Sequence, residues 1–294
     1  MNALYPFKPH YLTIDNNKYH YVDEGHGEPI LMIHGNPTWS FYYRELIKAF
    51  SDRYRMIAPD HIGCGRSDKP DDHHYDYTLA QRLSDLDYFI SHMGLERITL
   101  VVHDWGGMIG IAWATQHPEK ISRLVVFNTA AFPKPDAKRF PATLMLARSP
   151  WLGSFFVRGV NAFVRGANHF CVSRRPLSPE IASGYLEPYK SWADRIAIHR
   201  FVQDIPLRSQ DRSFEILSRT AGMLTCLADK PMLICWGMRD FVFDHNFLDE
   251  WMTRFPNVDV HRFKDCGHYI LEDAGDEVIS LMERFLLAHP LEVC

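Results

Sequence analysis

The 294-residue sequence has no surplus of basic charge. Its 32 Lys and Arg stand against 36 Asp and Glu, a net of -4. That balance gives no reason to expect nucleic acid, and it argues against a globally basic membrane surface. No stretch approaches 18 uninterrupted apolar residues, so no membrane-spanning helix is expected. The opening MNALYPFKPHYLTIDNN has no apolar signal-peptide core, which leads to an expected cytoplasmic location. Cysteine is sparse and scattered: Cys64, Cys171, Cys226, Cys235, Cys266 and Cys294 include no Cys-x-x-Cys pair. They read as free, mostly buried thiols in a reducing compartment. Neither Gly-x-Gly-x-x-Gly nor Gly-Lys-Ser occurs, so the Gly-rich loop PDHIGCGRSDKP is assigned no nucleotide. No cofactor and no metal is expected. His73 and His74 in DDHHYD read as a solvated loop, because adjacent histidines do not converge easily on one ion. No repeat, low-complexity tract or Ser/Gly linker appears.

What is present is ordinary globular composition, 46% apolar and 23% charged, arranged in a strand–helix rhythm. KYHYVDEG, PILMIHG, YRMIAPD, ITLVVHD and RLVVFNT read as strands. FYYRELIKAFS, TLAQRLSDLDYFISHMG (ending at Gly94) and GGMIGIAWATQHP read as helices between them. This alternation predicts a mostly parallel sheet with helices on both faces. After about Ala131 the rhythm stops. Residues 132–222 are rich in Pro, Arg and aromatics without a strand signal, and PATLMLARSPWLGSFFVRGVNAFVRGANHF reads as helices broken by Pro150 and Gly153. Strands return with KPMLICWGMRD and VDVHRFKDCGH, followed by the helix DEVISLMERFLLAH. The expectation is one α/β core, residues 1–131 and 223–294, interrupted by a helical cap, residues 132–222.

The segment LVVHDWGGMIG, Leu100 to Gly110, sets an apolar strand directly against a helix, with Asp104 at the corner and small residues after it. A strand–x-nucleophile-x-Gly–helix corner is a nucleophile elbow, which lifts the central side chain above the sheet at a helix N-terminus. No Gly-x-Ser-x-Gly occurs in the chain, so the nucleophile slot is held by a carboxylate; the alternative is an ordinary turn with an Asp cap. Asp240 follows the later strand in CWGMRDFVF, and His268 follows the next in FKDCGHYILED. Nucleophile, acid and histidine in that order, each at a strand C-terminus, are read as the triad Asp104, Asp240, His268. HGNPTWS, after PILMI, is placed to supply a backbone N–H to an oxyanion hole.

These segments resemble the α/β-hydrolase superfamily over nearly the whole chain. Within it, HGNPTW, HDWGG, the late Asp and GHY look like the haloalkane dehalogenases, in the branch that also contains the β-lactone decarboxylases of long-chain olefin biosynthesis. The resemblance implies an α/β-hydrolase fold and an alkyl ester on Asp104. His268 would activate the water that cleaves it, and Asp240 would orient His268. It further implies backbone N–H groups of Trp105 and Asn36 as the oxyanion hole, with the Trp105 indole and the Asn36 amide holding the departing halide. The implied partners are a small apolar or alkyl-chain substrate and a halide ion; homo-oligomerisation stays open. Haloalkane dehalogenase is the leading reading. The alternative is a β-lactone decarboxylase using the same Asp, to which NTAAF, VRGVNAF and RFVQDIPL look similar. An epoxide hydrolase with Tyr185 and Tyr189 as its acid pair ranks below both, and a non-catalytic receptor is disfavoured because all three triad positions hold competent residues. Asp136 is the only carboxylate near the alternative acid position after RLVVFNT. LGSFFVRGVNAFVRG reads as an amphipathic cap helix, with a membrane or subunit contact as the other option.

Overall fold

The computed structural model of the protein describes residues 3–291, so Cys294 lies outside the described residues. Eight strands form one sheet: β1 (His10–Ile14), β2 (Asn17–Glu24), β3 (Pro29–Ile33), β4 (Arg55–Pro59), β5 (Ile98–Asp104), β6 (Ile121–Thr129), β7 (Met232–Gly237) and β8 (Asp259–Phe263). Their order is β1-β2-β4-β3-β5-β6-β7-β8. β2 pairs antiparallel with β1 and β4, and every other pairing is parallel. The mostly parallel α/β expectation therefore holds. β1 has no counterpart in the sequence reading. It exists because Asp15 and Asn16, at φ 44° and 66°, close a two-residue hairpin onto β2.

The helices begin with α1 (Arg44–Phe50), preceded by a 3-10 turn at Ser40–Tyr43, then α2 (Leu79–His92) and α3 (Trp105–Ala114). α2 starts where the Thr78 hydroxyl accepts the Gln81 N–H and stops before Gly94, which takes φ +58°. Between Thr129 and Met232 the described residues contain helices only: α4 (Ala142–Arg148), α5 (Pro150–Gly153), a π-helical turn (Ser154–Gly159), α6 (Ala162–Phe170), α7 (Pro179–Leu186), α8 (Ile196–Gln203) and α9 (Phe214–Met223), with short 3-10 turns. Pro150 does start a new helix, where its missing N–H costs nothing. Gly153 does not break one: its φ and ψ are -60° and -44°, and a Cβ there would overlap the Ala147 carbonyl. It is small because two turns meet at it. α10 (His245–Arg254) and α11 (Ile270–Ala288) complete the chain.

Strand periodicity sorts the core onto two faces. Leu100 and Val102 of β5 join Phe89, Ile109 and Trp251 from α2, α3 and α10, whereas Val101 joins Ile47, Val278 and Met282 from α1 and α11. With both faces covered, every residue of β5 and β7 is buried, and both strands are mostly apolar rather than alternating.

Candidate active site

β5 ends at Asp104 and α3 begins at the next residue, with Asp104 at φ 52°, ψ -127°. Such a conformation costs about 1–3 kcal/mol for a non-glycine residue and persists only when its surroundings enforce it. They do so by closeness. A Cβ on Gly106 would overlap the Ile33 carbonyl, one on Gly107 the Thr129 hydroxyl, and one on Gly35 the Asp104 carboxylate itself. The Thr129 hydroxyl donates to the Asp104 carbonyl. Thus the glycines of HGNP and HDWGG are the space in which the elbow and its carboxylate fit.

Asp104 Oδ1 accepts the backbone N–H of Asn36 at 2.6 Å, and the adjacent Trp105 N–H also favours the charged carboxylate. Oδ2 lies 3.6 Å from His268 Nε2. His268 Nδ1–H donates to Asp240 Oδ2 at 2.7 Å, and Asp240 Oδ1 accepts the Val242 N–H at 2.7 Å. All three side chains are buried. Burial pushes the Asp104 carboxyl above its usual range, against the pull of His268 and the two N–H groups. Burial works against charge on His268, yet the Asp240 carboxylate overcomes it and raises the imidazole above its ordinary value. The arrangement is a carboxylate above the sheet, with the Asn36 N–H on one oxygen and a carboxylate-backed imidazole beside the other.

The five residues named from the sequence converge. Asn36, Trp105, Asp104 and His268 all line one cavity of about 580 Å³, and Asp240 lies directly behind His268. The cavity wall is otherwise mostly apolar, with Met108 and Phe243 from the core side and Leu144, Phe163 and Leu217 from the helical segment. Trp39, Trp113, Trp236 and Trp251 each donate their indole N–H to a protein oxygen. The Trp105 indole has no such partner among the described residues. The Asn36 amide differs: its Nδ2 donates to the Ile198 carbonyl in α8 at 3.2 Å, while its Oδ1 is buried without a partner.

Supporting residues escaped the sequence reading. His103 Nε2–H donates to the His268 carbonyl at 2.9 Å, and its ring lies 4.5 Å from the His268 ring. Burial holds His103 well below the usual histidine range, so it serves as a neutral strut. Asn128 clasps both peptide groups of Gly237, giving to its carbonyl at 3.0 Å and taking from its N–H at 2.8 Å, just ahead of Asp240. Asp60 ties the two loops after β3 and β4 by accepting the N–H groups of Ser40 and Arg66 and pairing with His20. Polar residues inside otherwise apolar strands were the available signal for His103 and Asn128.

With the site described, its relatives become informative. A family model described as alpha/beta hydrolase fold matches residues 28–275. The chain belongs to this family. Within it, the chain falls in the group that holds both oxetanone decarboxylases and haloalkane dehalogenases. Over 287 residues it is 52% identical to a cis-3-alkyl-4-alkyloxetan-2-one decarboxylase of Shewanella oneidensis, covering 97% of this chain and 90% of that protein. It is 33% identical to haloalkane dehalogenase 2 of Mycobacterium tuberculosis over 285 residues, 96% of each chain. The crystal structure of the haloalkane dehalogenase DatA from Agrobacterium tumefaciens superposes with a TM-score of 0.88 at 24% identity, over 99% of this chain and 100% of that one, a likeness of fold.

Several lesser candidates fall away in this α/β-hydrolase. The Tyr185 hydroxyl donates to Glu272, which also pairs with Arg44, and Tyr189 hydrogen-bonds the backbone of Gly65 and Thr38. Neither tyrosine lines the cavity, so the acid pair of an epoxide hydrolase is not assembled. Both positions are buried because their rings pack on Phe41, Tyr269 and the Gly65 loop, which helical spacing alone did not reveal. Asp136 is exposed in its loop. His74 pairs with Asp71 on the surface at 2.6 Å. Among the described residues no helix is long and apolar enough to cross a membrane.

Proposed function

We propose that the protein is a β-lactone decarboxylase, converting cis-3,4-dialkyl-oxetan-2-ones to alkenes and carbon dioxide with Asp104 as nucleophile. The observation that carries this reading is 52% identity over 97% of the chain to a decarboxylase of that substrate. The apolar cavity above Asp104 suits two alkyl arms. In this reading residues 132–222 act as a cap that supplies most of the apolar wall and keeps water from the reacting carbon.

The chemistry follows from the geometry. The Asp104 carboxylate attacks ring carbon C4 from the face opposite the ring oxygen. The C4–O bond breaks, and the oxygen leaves as part of a free carboxylate on C3. The C3–carboxylate bond then breaks. Its electron pair forms the C3=C4 double bond, the ester bond to Asp104 breaks, and carbon dioxide departs. Inversion followed by anti fragmentation turns a cis ring into a cis alkene. No water is consumed and no proton is gained or lost. The Trp105 indole N–H is the free donor available to the departing carboxylate. His268, whose positive charge the Asp240 carboxylate favours, stabilises Asp104 as it leaves carbon again.

Haloalkane dehalogenation remains the second reading, and the unpartnered Trp105 indole favours it, since a halide needs just such a donor. The two differ in what His268 must do: hydrolysis of an alkyl ester needs a neutral imidazole to deprotonate water, whereas fragmentation does not. The deciding experiment offers one purified sample a cis-3,4-dialkyl-oxetan-2-one and a 1-bromoalkane of equal chain length, and follows alkene, carbon dioxide and bromide together. Alkene with carbon dioxide from the lactone is expected. Bromide release without lactone turnover would overturn the proposal.

A further inference from the structure

Residues 132–179 hold eight of the chain's 32 Lys and Arg but only one of its 36 Asp and Glu, Asp136. A chain with a net charge of -4 thus carries one strongly cationic stretch. The same stretch exposes apolar side chains. Trp151 is 87% exposed and Phe155 58%, with Leu152 and Phe156 also exposed beside them. Their spacing, i, i+1, i+4 and i+5 along α5 and the π-helical turn, sets them on one side of that helical run. Phe155 meets Phe156 edge-on, with ring centroids 5.3 Å apart. Arg139, Arg165 and Arg175 are exposed and form no ion pair among the described residues, and Arg158 caps the exposed Trp192 ring at 4.6 Å. A third observation gives this face a direction: Leu146, Phe156 and Phe170 are exposed and at the same time line the Asp104 cavity, so the cavity's mouth lies within the patch.

Exposed tryptophan and phenylalanine in a segment with surplus arginines is the chemistry of a surface that lies in the boundary between lipid headgroups and acyl chains. Three of the eight cations are paired with carboxylates from outside the stretch, Lys138 with Asp244, Arg148 with Asp211 and Arg174 with Asp265, which leaves Arg139, Arg165 and Arg175 as surplus positive charge that an anionic surface would match. We propose that the exposed face of residues 145–156, together with the exposed arginines of the same segment, docks the protein on an anionic phospholipid bilayer. Docking would seat the cavity's mouth among the acyl chains, so that an alkyl substrate reaches Asp104 without crossing water. The bilayer contact itself does not depend on which bond Asp104 attacks.

Flotation of the full chain with phosphatidylglycerol-containing phosphatidylcholine vesicles, against pure phosphatidylcholine vesicles, tests it. Binding to the anionic vesicles is expected to fall steeply with added salt. The double variant W151A/F155A should lose at least about tenfold in vesicle affinity, and R139E/R165E at least about fivefold for each arginine. Neither pair lines the cavity, so turnover of a short, water-soluble substrate should stay at the wild-type rate in both. Absence of wild-type binding to the anionic vesicles, or equal binding to both vesicle types, would overturn the proposal. So would concentration-dependent dimerisation in sedimentation that W151A/F155A abolishes, which would assign the face to a second copy of the chain.

Discussion

The sheet and the helical segment beside it use apolar residues in opposite ways. β5 and β7 are buried at every position, and their side chains alternate between two cores. In residues 142–223 the helices are four to ten residues long, too short to stand alone, and apart from the buried α8 they leave much of their surface exposed. Of the fourteen large apolar side chains exposed among the described residues, ten lie in that segment. The groups proposed for catalysis sit on the first kind of structure, at strand ends where glycines leave no slack. The wall of the cavity above them belongs largely to the second kind. In this protein, positional accuracy and substrate choice are thereby separated: one demands a scaffold that cannot relax, the other a surface that can be re-cut without disturbing it.

The comparison is sharpened most by Asp104. Asp104→Asn is expected to lower kcat by about 10⁴-fold or more, because no covalent intermediate can form. Alkene formation by gas chromatography, assayed promptly before deamidation, measures it; a near-native rate would sink the nucleophile assignment. Trp105→Phe should lower kcat by roughly 10²-fold, the usual loss for one donor at a developing anion. An effect on KM alone would make Trp105 a wall residue like those of the helical segment. Gly106→Ala should destabilise the fold by about 1–3 kcal/mol, since the added methyl meets the Ile33 backbone, which has nowhere to go. Calorimetric melting reads this directly.

The pH profile separates the two proposed chemistries. His268 is raised above its ordinary 6.5, against the cost of burial, by the Asp240 carboxylate. If its cationic form assists departure of Asp104, lactone turnover falls as pH rises through that elevated value, by about tenfold per unit once past it. A hydrolytic dehalogenase would show the reverse, with activity climbing over the same interval as the base is freed. The smallest effect returns to the helical segment. A Cβ at Gly222 in α9 meets nothing within 4 Å, so Gly222→Ala should stabilise the protein by about 0.5 kcal/mol. The same glycine-to-alanine change then has opposite signs in the two regions; a shared sign would break the contrast.

Much of this was legible beforehand, for a physical reason. Strand-then-elbow-then-helix is a local pattern, so HDWGG announced Asp104, and strand-end loops announced Asp240 and His268. Asn36 and Trp105 were implied as donors by the family resemblance, and both lie on the cavity wall. Less legible were features set by contacts far apart in sequence. β1 depends on a hairpin at Asp15–Asn16 that short-range hydrophobic alternation did not single out. Gly153 looked like a break and is a packing contact with Ala147. Tyr185 and Tyr189 looked available for catalysis and are turned away, one to Glu272 and the other to the Gly65 loop.

By itself, then, the sequence determined the α/β class, the order of the parallel strands' helical partners and the identity of the residues at the corner, because periodicity and glycine placement act within a few residues. Only the tertiary structure decided that Asp104 and His268 stand 3.6 Å apart across 164 residues of chain, that the Asn36 amide is drawn to Ile198, and that the cavity opens among exposed aromatics. Those facts depend on how the short helices dock on the sheet, and docking is a sum over many weak contacts that no local stretch contains.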